Sequence, residues 1–552
     1  MTLSRRSLLL GSAAALFALV ESAEARSKRR RSGGRKASRG KASRAAAASA
    51  PQTPPPPNGT ALPIPELITV AADGETTIAA GFADHAFIKD KPARVAGYNG
   101  RHLGPALRLV RGQSATIRIE NKLDRPTNVH WHGLSVDAKL DGAMQPPLAP
   151  GASATYKITA DQSSATLWYH AHVHGSVGRD VHDGLAGFLI VEDPDEIGLG
   201  LPSTWGVDDI PLLIQDKDFD AAGAPVYAPD ADAIEHGFRG RTVLVNGVRE
   251  AVARVPQRPV RFRLLNASSA RTYRLYCEDE RGFDLIATDG GYLPGPVEIT
   301  MLVLAPGERA EILIDFSLGS TNLMSTPDVH EHRMGATAMS LPDVIDKPFR
   351  VCGFDPFSDN RPGTKRPDRL VVLPPADPKT AVRRRRFELK SLAATAMPYA
   401  AGDHAAMDHT TMDHAAMGHA GHGQTTAQPT SRTTSGASDG APRPALGING
   451  KAFAMGRIDE EVGLGTTEIW EIVSAEMAHP FHVHGVQFRV LGEDGGPPKT
   501  WNSGLKDTVL VENSAELLIT FPHRADRSAP FVYHCHVLEH EDAGMMGTFT
   551  VS

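Results

Sequence analysis

Cysteine is almost missing from this chain: Cys277, Cys352 and Cys535 are the only three in 552 residues. One pair at most can form, so a disulfide-stapled scaffold is excluded. Long apolar runs are missing too. The run from Leu8 to Val20 is broken by Gly11 and Ser12 and falls well short of the roughly 20 residues that cross a bilayer, so no integral membrane segment is expected. Positive charge is scarce in the body of the chain. Ten of its 58 lysines and arginines crowd into residues 26–44, which hold no acid. Setting those and the charge-balanced residues 1–25 aside leaves 46 basic and 62 acidic residues over 45–552, a net charge near −16. An acidic body repels nucleic acid, so nucleic-acid binding is excluded as a function.

The N-terminus reads as an address. Arg5 and Arg6 stand directly before the apolar run, and Ala23-Glu24-Ala25 supplies a small-residue cleavage site. Residues 1–25 are therefore expected to be a twin-arginine signal peptide, read by the twin-arginine export machinery. The mature protein is expected to work in a periplasm. Residues 26–60, basic and then Ala/Pro-rich, lack apolar periodicity and are expected to be a disordered linker.

About 490 residues remain, too many for one core and suited to three domains. Strand-like alternations such as SATIRIENK (114–122), ATYKITA (154–160) and AEILIDF (310–316) recur between Gly, Pro and Asp turn clusters, the pattern of β-sandwiches. The expected domains are 61–197, 198–367 and 368–552.

The densest chemistry lies in HCHVLEHEDAGMM (534–546). Cys535, His540 and Met545 stand at C-x4-H-x4-M spacing. With one remote histidine they make up one cysteine, two histidines and a weak axial methionine, the ligand set of an electron-transfer copper. Cys535 is flanked by His534 and His536. Successive side chains on a strand point to opposite faces, so the sulfur would face one metal while its neighbours face a second centre. Three more pairs, His130/His132, His170/His172 and His482/His484, each place two imidazoles on one strand face. A single such pair reads equally well as a polar strand face; four pairs beside an HCH triplet do not. The eight imidazoles divide as two, three and three for three coppers, and His479, three residues before His482, is left over for the cysteine site.

These motifs resemble the multicopper oxidases, as do VNGV (245–248), RFRLLNASSARTYRL (261–275), LAPGERAEILIDF (304–316) and ALGINGKAFAM (445–455). The resemblance runs from about Leu67 to the C-terminus, and the tail is most similar to bacterial cuprous oxidases and laccases. It implies an all-β protein of three cupredoxin-like Greek-key sandwiches holding four copper ions, with dioxygen reduced to water. Carried over by position, His479, Cys535, His540 and Met545 would bind the type 1 copper, and His130 and His482 the type 2 copper. His132, His170 and His536 would bind one type 3 copper; His172, His484 and His534 would bind the other. Asp141 and Glu541 are the implied proton donors, each with a solvated or supporting carboxylate as its plainer reading. The middle domain carries no ligand, and His174 and His182 read as structural. Every ligand position is filled, unlike in the copper-free relatives with a cell-division role.

Between Asp403 and Gly423 a repeat places Met407, Met412 and Met417 five residues apart, alternating with His404, His409, His414 and His419. A period of five keeps to one face of neither helix nor strand, so a surface excursion is expected. Thioethers favour Cu(I) and imidazoles also accept Cu(II); the alternative is an inert low-complexity insertion. By resemblance such an insert covers the type 1 site, and Glu476 and Met477 would hold a substrate Cu(I). Three functions compete: oxidation of Cu(I) in copper tolerance, laccase-type oxidation of small phenols or aromatic amines, and copper sequestration. A monomer is expected. Cys277 and Cys352 form either a disulfide or two buried thiols.

Overall fold

The computed structural model describes residues 59–72, 74–334, 337–341, 343–359, 366–392, 445–474 and 476–552. The expected signal peptide, all but the last two residues of the linker, and the repeat with Met407, Met412 and Met417 lie outside them. The described residues are mostly strands, and they build the expected all-β fold of three sandwiches.

The first sandwich faces a sheet ordered Lys91–Tyr98, Glu75–Ile88, Ser114–Asn121, Ser153–Thr159 against one ordered Leu67–Thr69, Ala106–Val110, Ala186–Glu192, Ala165–His170. Ser114–Asn121 shows why it pairs as it does. Ala115, Ile117 and Ile119 point into the core while Thr116, Arg118 and Glu120 point out, so a one-residue slip would reverse every side chain. Each buried isoleucine there contributes about 1.5–3 kcal/mol. Ala165–His170 is an edge strand, yet all six of its residues are buried. Leu167 and Tyr169 enter the sandwich core, whereas Thr166, Trp168 and His170 face the other two sandwiches.

The second sandwich sets Ala251–Pro256, Phe349–Phe357, Asn322–Thr326 and Tyr273–Cys277 against a sheet centred on Asp209–Phe219, Pro259–Asn266 and Arg309–Asp315. The short strand Thr60–Ala61 adds to this sandwich, parallel to Ala251–Val252, before the chain crosses to the first. Cys277 and Cys352 both pair with Leu323, from opposite sides. A whole strand thus separates them, about 10 Å at the usual strand spacing, beyond the roughly 7 Å a disulfide spans. Both are free buried thiols, pushed up to about 12 by burial.

The third sandwich packs Arg383–Leu392, Thr467–Ser474, Ser514–Thr520 and Phe488–Glu493 against Met546–Val551, Phe531–Cys535, His479–Val483 and Thr508–Val511. The four short α-helices among the described residues, Ala138–Asp141, Val177–Asp183, Ala231–His236 and Leu538–Asp542, all lie where sandwiches meet.

One contact between the first two sandwiches has a measurable pH signature. His182 is buried against Tyr227 and Phe238, neither ring nitrogen has a hydrogen-bond partner among the described residues, and Lys217 Nζ donates to its backbone carbonyl. Burial, then the Lys217 and His102 charges, hold its pKa well below the ordinary 6.5. The imidazole stays neutral when folded but charges when the chain unfolds, so the unfolded state binds the extra proton. Stability should therefore fall as pH drops below about 6.5, by about 1.4 kcal/mol per pH unit for this group. Denaturant melts of wild type and His182→Phe between pH 5 and 8 check this. Identical slopes would refute it.

Candidate metal centre

Strand parity sorts the key side chains. Phe531–Cys535 lies between Met546–Val551 and His479–Val483. Phe531, Tyr533 and Cys535 enter the core of the third sandwich, so His534 points out of it. Across the ladder Phe481 pairs with Cys535 and His482 with His534, and directly opposed residues share a face. His479 thus sits on the sulfur's face, and His482 on that of His534. The first sandwich meets this outer face with His130 and His170, which exchange backbone hydrogen bonds of 2.8 and 3.2 Å.

The imidazoles gather into trios whose nitrogens lie within 4.8 Å: His130/His132/His482, His132/His170/His536 and His172/His484/His534. For six of the eight, the tautomer follows from the outer nitrogen. His130 Nδ1 faces Asp141 O at 3.2 Å, His170 Nδ1 faces Ala171 O at 3.0 Å, His482 Nδ1 faces Asp507 O at 2.8 Å and His534 Nδ1 faces Cys535 O at 3.0 Å. His484 Nδ1 meets Asp141 Oδ2 at 3.0 Å and His132 Nε2 meets Asp507 Oδ1 at 3.1 Å. A nitrogen against an acceptor carries the proton, which leaves a lone pair on the other. The lone pairs face inward: His484 and His534 Nε2 stand 3.1 Å apart, His170 Nε2 and His132 Nδ1 3.4 Å, and His130 and His482 Nε2 have no partner among the described residues. Lone pairs this close repel unless a cation shares them. The donor set therefore fits copper.

On the other face, Cys535 Sγ lies 3.4 Å from His479 Nδ1 and 3.5 Å from His540 Nδ1. The His540 Nε2–H donates to Glu235 O at 3.0 Å, so its Nδ1 is again a lone pair. Burial holds both imidazoles neutral, His540 down to about 3, and raises the thiol; a bound metal overrides that rise, since a coordinating thiol is deprotonated. Met545 is wholly buried in the same core, its carbonyl accepting from Cys535 N and its N–H donating to His540 O.

Both expected carboxylates reach the imidazole groups. Asp141, in the first sandwich, bonds His484 of the third and lies 3.3 Å from His130 Nδ1. Glu541 lies 3.1 Å from His172 Nε2 and 3.2 Å from His534 Nδ1. Burial alone would raise Glu541, but His172 and His534 hold it well below the usual carboxylate range. Met477 lines a cavity of about 150 Å³ with Pro480, Val537, Asp328 and Glu512. Glu476 is turned elsewhere, accepting from Ser391 N at 2.8 Å. His174 packs on Phe453. Sequence reasoning missed Asp507, Thr508 and Arg309: Asp507 and Thr508 touch His132 and His482, and Arg309 holds Asp507. No spacing relative to a histidine marks them.

Two family models, both described as multicopper oxidase, match residues 82–196 and 419–552. The chain is 32% identical to the cell division protein FtsP of Pectobacterium atrosepticum, over 90% of this chain and 93% of that one. It is also 32% identical to the multicopper oxidase mco of Staphylococcus haemolyticus, over 84% and 86%. Among solved structures, the laccase-like multi-copper oxidase CueO of the lignin-degrading Ochrobactrum sp. superposes with a TM-score of 0.74. It is 36% identical and covers 89% of this chain and 100% of that one. That protein is described as having oxidase activity towards lignin model compounds and lignosulfonate.

Proposed function

The chain belongs to the multicopper oxidases, copper-binding oxidoreductases that take dioxygen as acceptor, and from that premise we propose that it is a periplasmic cuprous oxidase serving copper tolerance. Four ions would be held. His479, Cys535, His540 and Met545 take the first, His130 and His482 the second, and the trios His132/His170/His536 and His172/His484/His534 the remaining pair. Bound copper supplies one-electron redox chemistry and the four-electron reduction of dioxygen. The protein's own part is to aim lone pairs inward, to join the two centres through the backbone of residues 534–536, and to exclude water. Asp141 and Glu541, each within 3.3 Å of two of these imidazoles, would pass protons to the centre. The filled ligand positions favour an oxidase over a role like that in the name of the FtsP relative.

The observation that carries the choice of reductant is the cavity beside His479. At about 150 Å³ it is smaller than the roughly 300–1,000 Å³ of sites that enclose a drug-sized organic ligand, and Met477 offers it a thioether suited to Cu(I). The His/Met repeat 403–423 adds a second soft-ligand source. Laccase-type oxidation of phenols is the second reading, favoured by the activity described for the Ochrobactrum protein. Deleting residues 403–423 should slow Cu(I) oxidation several-fold and speed phenol oxidation in steady-state assays. Fast phenol turnover in the intact protein, untouched by the deletion, would select the laccase reading. Export through the twin-arginine pathway belongs to the same proposal, and recovery of active protein from the cytoplasm alone on fractionation would count against it.

A further inference from the structure

We propose that Arg309, supplied by the one sandwich that holds none of the histidine–cysteine groups, is a positioning residue for the dioxygen-reducing centre. The inference rests on the reading that His132 and His482 bind copper. Arg309 is wholly buried, and all of its side-chain nitrogens are engaged. Nε donates to Thr166 O at 3.0 Å, Nη1 to Gly307 O at 3.1 Å and Asp507 Oδ1 at 2.7 Å, and Nη2 to Asp289 O at 3.1 Å and Asp507 Oδ2 at 2.5 Å. A two-pronged pair of this kind fixes the plane of the carboxylate as well as its place.

The fixed carboxylate does two further things. Its Oδ1, with Thr508 Oγ1 at 3.2 Å, accepts from His132 Nε2, while the Asp507 backbone carbonyl accepts from His482 Nδ1. One guanidinium thus holds the residue that accepts from two imidazoles of different sandwiches, from His132 through the clamped carboxylate and from His482 through the backbone. Asp289, also of the second sandwich, completes the clamp. Its Oδ1 accepts from Arg309 N at 2.7 Å and its Oδ2 from the backbone N–H groups of Asp507 and Thr508, both at 3.3 Å. Space is as tight as the bonding. A Cβ on Gly133 would stand 2.5 Å from Arg309 Nη2 and 2.6 Å from Asp507 Oδ2, and one on Gly307 would stand 2.7 Å from the His536 ring.

If the clamp is released, Asp507 swings and His132 loses its charged acceptor, keeping only the neutral Thr508 Oγ1; the ring is then held less firmly and its Nδ1 lone pair is a weaker, less well-aimed ligand. The His479–Cys535–His540 group shares none of these bonds and should be spared. A plain brace between sandwiches predicts something different: lower stability, with copper binding unchanged in whatever remains folded.

Two variants of the full-length, copper-loaded protein separate these outcomes. Arg309→Lys keeps the charge but not the fork. Arg309→Met combined with Asp507→Asn removes both charges, so no lone carboxylate is left buried. Copper release to a chelator is followed by the electron paramagnetic resonance signal of the non-blue copper, with the blue absorption as internal control. Both variants should lose non-blue copper about 10- to 100-fold faster than wild type while keeping their blue colour. Wild-type retention of non-blue copper in either variant, or equal loss of blue and non-blue copper, would overturn the inference. A wild-type protein lacking the non-blue signal would instead bring down the copper reading, and this inference with it.

Discussion

Serine in place of Cys535 should leave a colourless protein that consumes no dioxygen above background. The side chain is wholly buried and points into the core of the third sandwich, 3.4 Å from His479 Nδ1 and 3.5 Å from His540 Nδ1. A serine oxygen fits the same space and its hydroxyl can donate to the nearby His479 or His540 Nδ1 lone pair, so the fold should survive. What disappears is the soft thiolate, the ligand type that suits a blue copper. Cys535 is also covalently continuous with His534 and His536, which face the other centre. Their trios should still fill with copper, so the variant should keep its non-blue copper while losing the electron path into it. Absorption spectra, copper analysis and oxygen-electrode traces of one preparation check the three parts together. Undiminished dioxygen consumption would refute the assignment of Cys535. Loss of all copper would show that the two centres do not fill independently.

The second large effect concerns Glu541. Glutamine there keeps the shape and one acceptor oxygen but cannot carry a proton. Glu541 lies 3.1 Å from His172 Nε2 and 3.2 Å from His534 Nδ1, and it stands one residue after His540, on the short helix Leu538–Asp542. Water formation consumes protons inside a buried site, and a positioned carboxyl group contributes about 10²–10⁴-fold to such a transfer. Glu541→Gln should lower dioxygen turnover by that factor, with blue colour and copper content retained. If Glu541 only steadies the two imidazoles, the amide serves as well and turnover stays within a few-fold of wild type. Steady-state rates measured across pH separate the cases, because losing a carboxylate that takes up and passes on protons changes the shape of the profile as well as its height.

Much of this site is legible in the chain itself. The triplet His534-Cys535-His536 and the pairs at 130/132, 170/172 and 482/484 carry their geometry with them, because side-chain direction on a strand alternates with a period of two. That rule decides which neighbours face together and which face apart, whatever the rest of the molecule does. The all-β sandwich architecture follows from the same alternation in segments such as 114–121. Tertiary structure alone decided what lies between sandwiches. Thr60–Ala61 joins the second sandwich, although nothing in so short a segment says where it pairs. Glu476 turns to Ser391 while Met477 enters the cavity. Leu323 separates Cys277 from Cys352. Arg309 clamps Asp507, 198 residues away. The physical reason is range: a local period fixes the direction of neighbouring side chains, whereas a partner hundreds of residues away is chosen by how finished sandwiches pack, and no spacing in the chain encodes that.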